Sequence, residues 1–266
     1  MTWRQVVRAL VRRAGVDVIP VAELEALRSQ TIPVSRLALL ADLPPDQLVR
    51  LLPALAKSKS QLGQDLFALS AGGFRREGFF VEFGATNGVD LSNTWLLEHE
   101  YGWRGVLAEP ARSWHAALRA ARRAAIDTRC VWTTSGSRLS FKEAAWTEVS
   151  TLERFATADG HSSARRGGRT YEVETVSLVD LLATHQAPAV IDYLSIDTEG
   201  SEYDILAAHD FSRYRFRVIT VEHNRMPVRE RLFTLLTGHG YRRVLEAHSR
   251  YDDWYVDQAS TWPAAQ

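Results

Sequence analysis

The chain has 266 residues, 45% hydrophobic and 24% charged, with 32 basic against 32 acidic residues. It is too apolar and too evenly charged for a disordered tail, and its zero balance argues against a general nucleic-acid binder, which needs surplus cations to displace counterions from phosphates. One cysteine, Cys130, allows neither an internal disulfide nor a zinc framework, and no run approaches roughly 18 apolar residues, so a cytoplasmic chain without a membrane span is expected.

Residues 2–57 read as helical, because Trp3, Val6, Val7, Leu10 and Val11 recur at three- and four-residue spacing and leucine-rich stretches follow, separated by Pro33 and Pro44-Pro45. The spacing predicts a helical N-terminal extension over 1–57 and a second domain over 58–266. Nine basic and five acidic residues in 1–60 give this leader +4 and the rest −4. Arg4, Arg8 and Arg12 share one helical face, either the solvated side of a packed helix or a peripheral contact with a membrane surface or partner.

From residue 78 short apolar runs alternate with polar helical stretches. Strands are predicted at 79–83, 105–109, 129–132, 191–197 and 217–222, with helices around 93–101, 113–124 and 201–209. Such alternation implies an α/β fold with a mostly parallel, doubly wound sheet, whose ligands bind at the carboxyl ends of the strands. The stretch 159–169, rich in Gly, Ser and Arg, interrupts the pattern and reads as a flexible, basic loop, either a solvated surface loop or a lid or grip on an anionic substrate.

The first predicted strand delivers Glu82 into a turn with Gly84 and Gly88, where missing Cβ atoms permit tight turning and close ligand approach. The G-x-G-x-x-G that seats a pyrophosphate on a helix N-terminus is absent, which weighs against the alternative of a nicotinamide-dependent oxidoreductase. Glu109 ends the second strand, 21 residues past Gly88, where a carboxylate can accept both ribose hydroxyls of an adenosine. Asp197 and Glu199 leave one later strand and Glu222-His223-Asn224 the next, so neighbouring strands would bring four titratable groups together. His223 or Asp197 then suits a general base, with Glu199 and Glu222 orienting it, and Asp197, Glu222 and His223 could instead hold a divalent cation such as Mg2+.

Taken together, Ser60–Asp65, Phe80–Gly84 with Gly88, Ser92-Asn93-Thr94, Leu97-Glu98, Gly102–Gly105, Glu109-Pro110, Thr175–Leu178, Asp197–Gly200 with Glu202, and Glu222–Asn224 resemble the FkbM-type S-adenosylmethionine-dependent methyltransferases over about residues 58–256. The family's frequent Asp after the first glycine is Thr86-Asn87 here. The resemblance implies a Rossmann-like, seven-stranded class I methyltransferase sheet that methylates hydroxyls of sugars or natural products. It implies that Glu82, Gly84, Ala85, Asn87 and Gly88 lie under the methionine part of S-adenosylmethionine, flanked by Ser92, Asn93 and Thr94. Glu109 would take the ribose, Val131 and Trp132 would border adenine, and Asp197 would be the acid at the fourth strand end. Acceptor contacts are expected from 159–169, from the helical N-terminus and from Tyr251–Tyr255, where the rings of Trp254 and Tyr255 either stack on a sugar or belong to a final antiparallel strand. A non-catalytic protein that works through its N-terminal helices is a third reading, disfavoured by the presence of Glu109 and the acidic turn residues.

Overall fold

The computed structural model describes residues 34–157, 160–260 and 262. Arg4, Arg8, Arg12 and Asp159 lie outside the described residues. The first described elements are α1 (Val34–Ala41), α2 (Pro45–Leu55) and α3 (Gln64–Ala71). Their inward leucines, Leu39, Leu51 and Leu55 among them, share one apolar cluster with Phe67, Trp254 and Trp262, so this part of the leader packs on the same core as the sheet. No described helix is long and apolar enough to cross a membrane.

The chain then alternates strand and helix: β1 (Phe79–Phe83), α4 (Trp95–Tyr101), β2 (Arg104–Ala108), α5 (His115–Ala121) and β3 (Ala125–Asp127). An inserted segment follows, comprising β4 (Cys130–Trp132), β5 (Arg138–Glu143), β6 (Thr151–Leu152) and β7 (Arg169–Ser177). The alternation resumes with α6 (Leu178–Thr184), β8 (Val190–Ile196), α7 (Glu202–Ala207), β9 (Arg215–Glu222), α8 (Val228–Gly238), β10 (Tyr241–Val244), α9 (Glu246–Ser249) and β11 (Asp252–Asp257).

The main sheet has seven strands in the order β10-β11-β9-β8-β1-β2-β3. Its central strands are parallel, and β11 runs antiparallel between β9 and β10. This is the Rossmann-like class I methyltransferase sheet that the resemblance implies. Phe80, Val81, Leu107, Leu194 and Ile219 are buried, as strands covered by helices on both faces require. Trp254 and Tyr255 are core residues of β11, with Trp254 stacked on Phe67 at 4.9 Å between ring centroids, so neither faces a sugar.

The third strand departs from the sequence reading. The main sheet takes Ala125–Asp127, while Cys130–Trp132 pairs with β7 in a separate four-stranded sheet, β4-β7-β5-β6. The cause is local: the Asp127 carboxylate accepts the Arg129 backbone N–H at 3.0 Å and the Arg129 guanidinium at 2.6 Å, which turns the chain out of the first sheet after three residues. Within 159–169 the described residues form turns leading into β7, and Arg165 is buried rather than solvated.

Candidate active site

The carboxyl ends of β1, β2, β8 and β9 frame a cleft. Gly84 leaves β1 with φ +75°, its N–H bonded to the Ala108 carbonyl at 3.1 Å; a Cβ there would stand 2.0 Å from the Asp197 carbonyl oxygen. Only glycine lets the ends of β1 and β8 meet so closely. Gly88, at φ +77°, has a different task, because its Cβ would collide with Leu118 and the Arg122 side chain at 2.6 and 2.7 Å. The helix after this turn begins only at Trp95, so no helix N-terminus stands at the glycines to seat a pyrophosphate.

Glu82 is the centre of a buried frame. It accepts the Asn93 backbone N–H at 2.7 Å, the Thr94 hydroxyl at 2.5 Å and the Ser92 hydroxyl at 3.1 Å. Arg122 closes the frame, donating to Glu98 at 2.8 Å, the Gly88 carbonyl at 3.0 Å, Ser92 Oγ at 3.1 Å and Thr94 Oγ1 at 2.8 Å. Ser92 and Thr94 therefore hold the loop in place. Asn93 donates through Nδ2 to Ser195 Oγ at 2.9 Å, while its Oδ1 is buried without a partner.

The cleft consists of two adjoining cavities. One is walled by Phe83, Cys130, Val131, Phe141 and Leu152 with Glu109 at its side. The other is more polar and walled by Gln61, Ala85, Asn87, Ser92, Asn93 and Trp114. Thr86, Glu148 and Asp197 border both. The Glu109 carboxylate accepts the backbone N–H groups of Thr86 and Ala111, each at 2.8 Å, and burial pushes its pKa up to about 7, with Glu143 and Asp197 adding to the rise. Val131 faces the first cavity, but Trp132 does not border it, packing instead toward Phe155 at 6.1 Å between ring centroids. Within the second cavity the Trp114 Nε1–H, like Asn93 Oδ1, is buried with no partner.

At the end of β8, Glu202 accepts the N–H groups of Thr198 and Gly200 at 2.9 and 3.0 Å and so shapes the Asp197–Gly200 turn. One carboxylate oxygen each from Asp197, Glu199 and Glu222 lie within 4.8 Å of one another. Asp197 is exposed to the cleft, whereas Glu199 and Glu222 are buried. Desolvation by the atoms packed around its carboxylate on the cleft floor raises Asp197 to about 6, and burial lifts Glu222 well above the usual carboxylate range. Glu199 accepts from Arg165 Nη2 at 3.0 Å and from Asn224 Nδ2 at 3.3 Å. His223 does not join the three carboxylates: its Nδ1 accepts the Arg225 N–H and its Nε2–H donates to the Asp252 carbonyl, both at 2.9 Å. With both ring nitrogens committed to backbone, the imidazole has no lone pair left for a metal or a hydroxyl proton.

The inserted sheet roofs the first cavity. Thr147, Glu148, Ser150 and Leu152 line it from above, and the Thr151 hydroxyl donates to the carbonyls of Thr198 at 3.2 Å and Glu199 at 2.9 Å. The sequence marks the loop that carries Arg165 but not its Glu199 partner, and it gives no direct sign of Arg122, Trp114 or this roof as parts of the site. The alternation of Tyr171, Val173 and Thr175 was the available signal for β7.

Residues 82–243 match the family model of the methyltransferase FkbM domain. Among solved structures the chain is similar to a precorrin-6y methyltransferase from Geobacter metallireducens GS-15 at 12% identity and a TM-score of 0.39, covering 74% of this chain and 87% of that one. It is also similar to a mutant of MtNAS, at 14% identity and a TM-score of 0.40, covering 87% and 70% of the two chains. A third similar structure is a fibrillarin/Nop5p complex, at 13% identity and a TM-score of 0.33, covering 71% and 79%. No curated protein matches the chain.

Proposed function

The chain belongs to the FkbM methyltransferase family, and on that premise we propose that it moves a methyl group from S-adenosylmethionine to a hydroxyl oxygen of a carbohydrate or natural-product acceptor. The observation that carries the cofactor reading is the pair of unpartnered atoms in the polar cavity, the acceptor Asn93 Oδ1 and the donor Trp114 Nε1–H. A zwitterionic amino-acid end supplies an ammonium for the first and a carboxylate for the second. The adjoining apolar cavity suits a nucleoside base, with Val131 on its wall and the Glu109 carboxylate beside it for the ribose hydroxyls.

S-Adenosylmethionine supplies, when bound, a methyl already activated on a sulfonium, so the chain's work is alignment and proton removal. Asp197 borders both cavities and is the exposed member of the three carboxylates, which suits it to take the acceptor's proton. Glu199 and Glu222 stand behind it as orienting groups, and the committed ring nitrogens of His223 leave that residue a structural part. Burial pushes the Cys130 thiol up to about 12, which keeps it protonated and unreactive.

Titration calorimetry of the full chain tests the cofactor: saturable S-adenosylhomocysteine binding is expected, and tight NAD(P) binding without it would sink the reading. Radiolabel transfer from S-adenosylmethionine to a panel of sugars and polyols tests the acceptor class. The pH profile tests Glu109, because a carboxylate accepts two ribose hydroxyls only when ionised. With its pKa at about 7, S-adenosylhomocysteine affinity should rise about tenfold from roughly pH 6 to pH 8 and then level off. The Glu109→Gln variant should bind more weakly and lose this slope; an unaltered slope in that variant would remove Glu109 from the site.

A further inference from the structure

We propose that Asp197, Glu199 and Glu222 form a binding site for one hard divalent cation, in place of the set with His223 that the sequence suggested. Their three oxygens lie within 4.8 Å of one another, a span that a single cation with oxygen ligands at about 2.1–2.4 Å can bridge. The second observation is Glu222 itself: its side chain belongs to a residue only 8% exposed, and its Oε2 has no hydrogen-bond partner. Sharing a proton with Asp197 satisfies one oxygen of Glu222 and leaves Oε2 bare, whereas a cation satisfies an oxygen from each carboxylate at once. Glu202 and Asp252 add further negative charge around Glu222, and among the described residues the Arg165 guanidinium pairs with Glu199.

An all-oxygen donor set selects Mg2+, Mn2+ or Ca2+ over thiolate- and imidazole-seeking metals. Arg165 and Asn224 both donate to Glu199 Oε2, which holds this carboxylate in place. Because Asp197 is exposed to the cleft, the remaining coordination positions face the space where an acceptor hydroxyl would lie. That role rests on the methyl-transfer reading. A hydroxyl on the cation gives its proton to the second oxygen of Asp197, its oxygen forms the new bond to the methyl carbon, and the sulfur keeps the electron pair of the bond that breaks.

Mn2+ binding to the full chain, followed by electron paramagnetic resonance, tests the site. One Mn2+ per chain, displaced by Mg2+, is expected. Glu222→Gln should weaken binding at least tenfold, while Asp210→Asn, before the opposite end of β9, should leave it unchanged. If Glu222→Gln does not fold, Asp197→Asn on the exposed ligand makes the same comparison. Absence of saturation up to about 10 mM Mn2+, beyond the weakest ordinary Ca2+ modules, in a chain that still binds S-adenosylhomocysteine overturns the cation site and spares the methyl-transfer reading. Equal binding by wild type and the ligand variants also overturns it. Stoichiometric, variant-sensitive Mn2+ binding in a chain that ignores S-adenosylhomocysteine establishes the cation site and overturns the methyl-transfer reading.

Discussion

Replacing Arg122 with Ala should lower the stability of the chain by about 3–5 kcal/mol, the usual cost of removing one partner from a buried ion pair. In a domain of this size that corresponds to a drop on the order of 10 °C in Tm. The Arg122 side chain is fully buried, and its nitrogens serve Glu98, Gly88, Ser92 and Thr94 while it stands 3.7 Å from Glu82. Truncation leaves two carboxylates in a dry interior with one cation fewer, and it frees the loop that carries Asn93. Arg123 is the internal control, because its side chain is 75% exposed and stands 3.8 Å from Glu98. Arg123→Ala should change stability by less than about 0.5 kcal/mol. Urea unfolding of the two variants decides the matter, and equal losses would show that the frame around Glu82 does not depend on Arg122.

Asp197→Asn should cut turnover by about 10²–10⁴-fold, the ordinary contribution of a positioned base, while S-adenosylhomocysteine binding stays within a few-fold of wild type. The amide keeps the shape at the junction of the two cavities and removes the proton acceptor. Measured with an acceptor found by the radiolabel screen, kcat carries the effect. A loss of that size in His223→Gln alongside near-full turnover in Asp197→Asn would move the proton to the imidazole. The geometry speaks against that outcome, since both imidazole nitrogens are already bonded to backbone groups.

The order of apolar runs made the sheet legible, because strands buried on both faces are mostly apolar, as at 79–83 and 191–196, where Glu82, Asp192 and Ser195 are the polar exceptions. Glu109, Asp197 and Glu222 were legible for a related reason: a carboxylate that ends a buried strand stands at the ligand-binding edge. Arg122 and Arg123 show the limit. They are adjacent and chemically identical, and only the tertiary direction of each side chain separates a fully buried cation from a solvated one. His223 failed as a candidate because a neighbouring polar triplet says nothing about which ring nitrogens the backbone will claim. The third strand failed at Asp127, where a turn built by Arg129 ended a three-residue strand and passed the stronger apolar run, Cys130–Trp132, to another sheet.

The position of β11 bears on how the chain is made. Among the described residues it is the last strand in the order of synthesis, yet it lies inside the sheet, paired with β9 on one side and β10 on the other. Until residue 257 has left the ribosome, β10 has no sheet neighbour, the flank of β9 is an open edge beside Val218 and Val221, and Phe67 lacks the indole that stacks on it. Nascent chains therefore wait with a bare, apolar strand edge, the kind of surface that recruits chaperones or other chains. A premature stop at residue 250 removes an interior stave of the sheet rather than a dispensable tail.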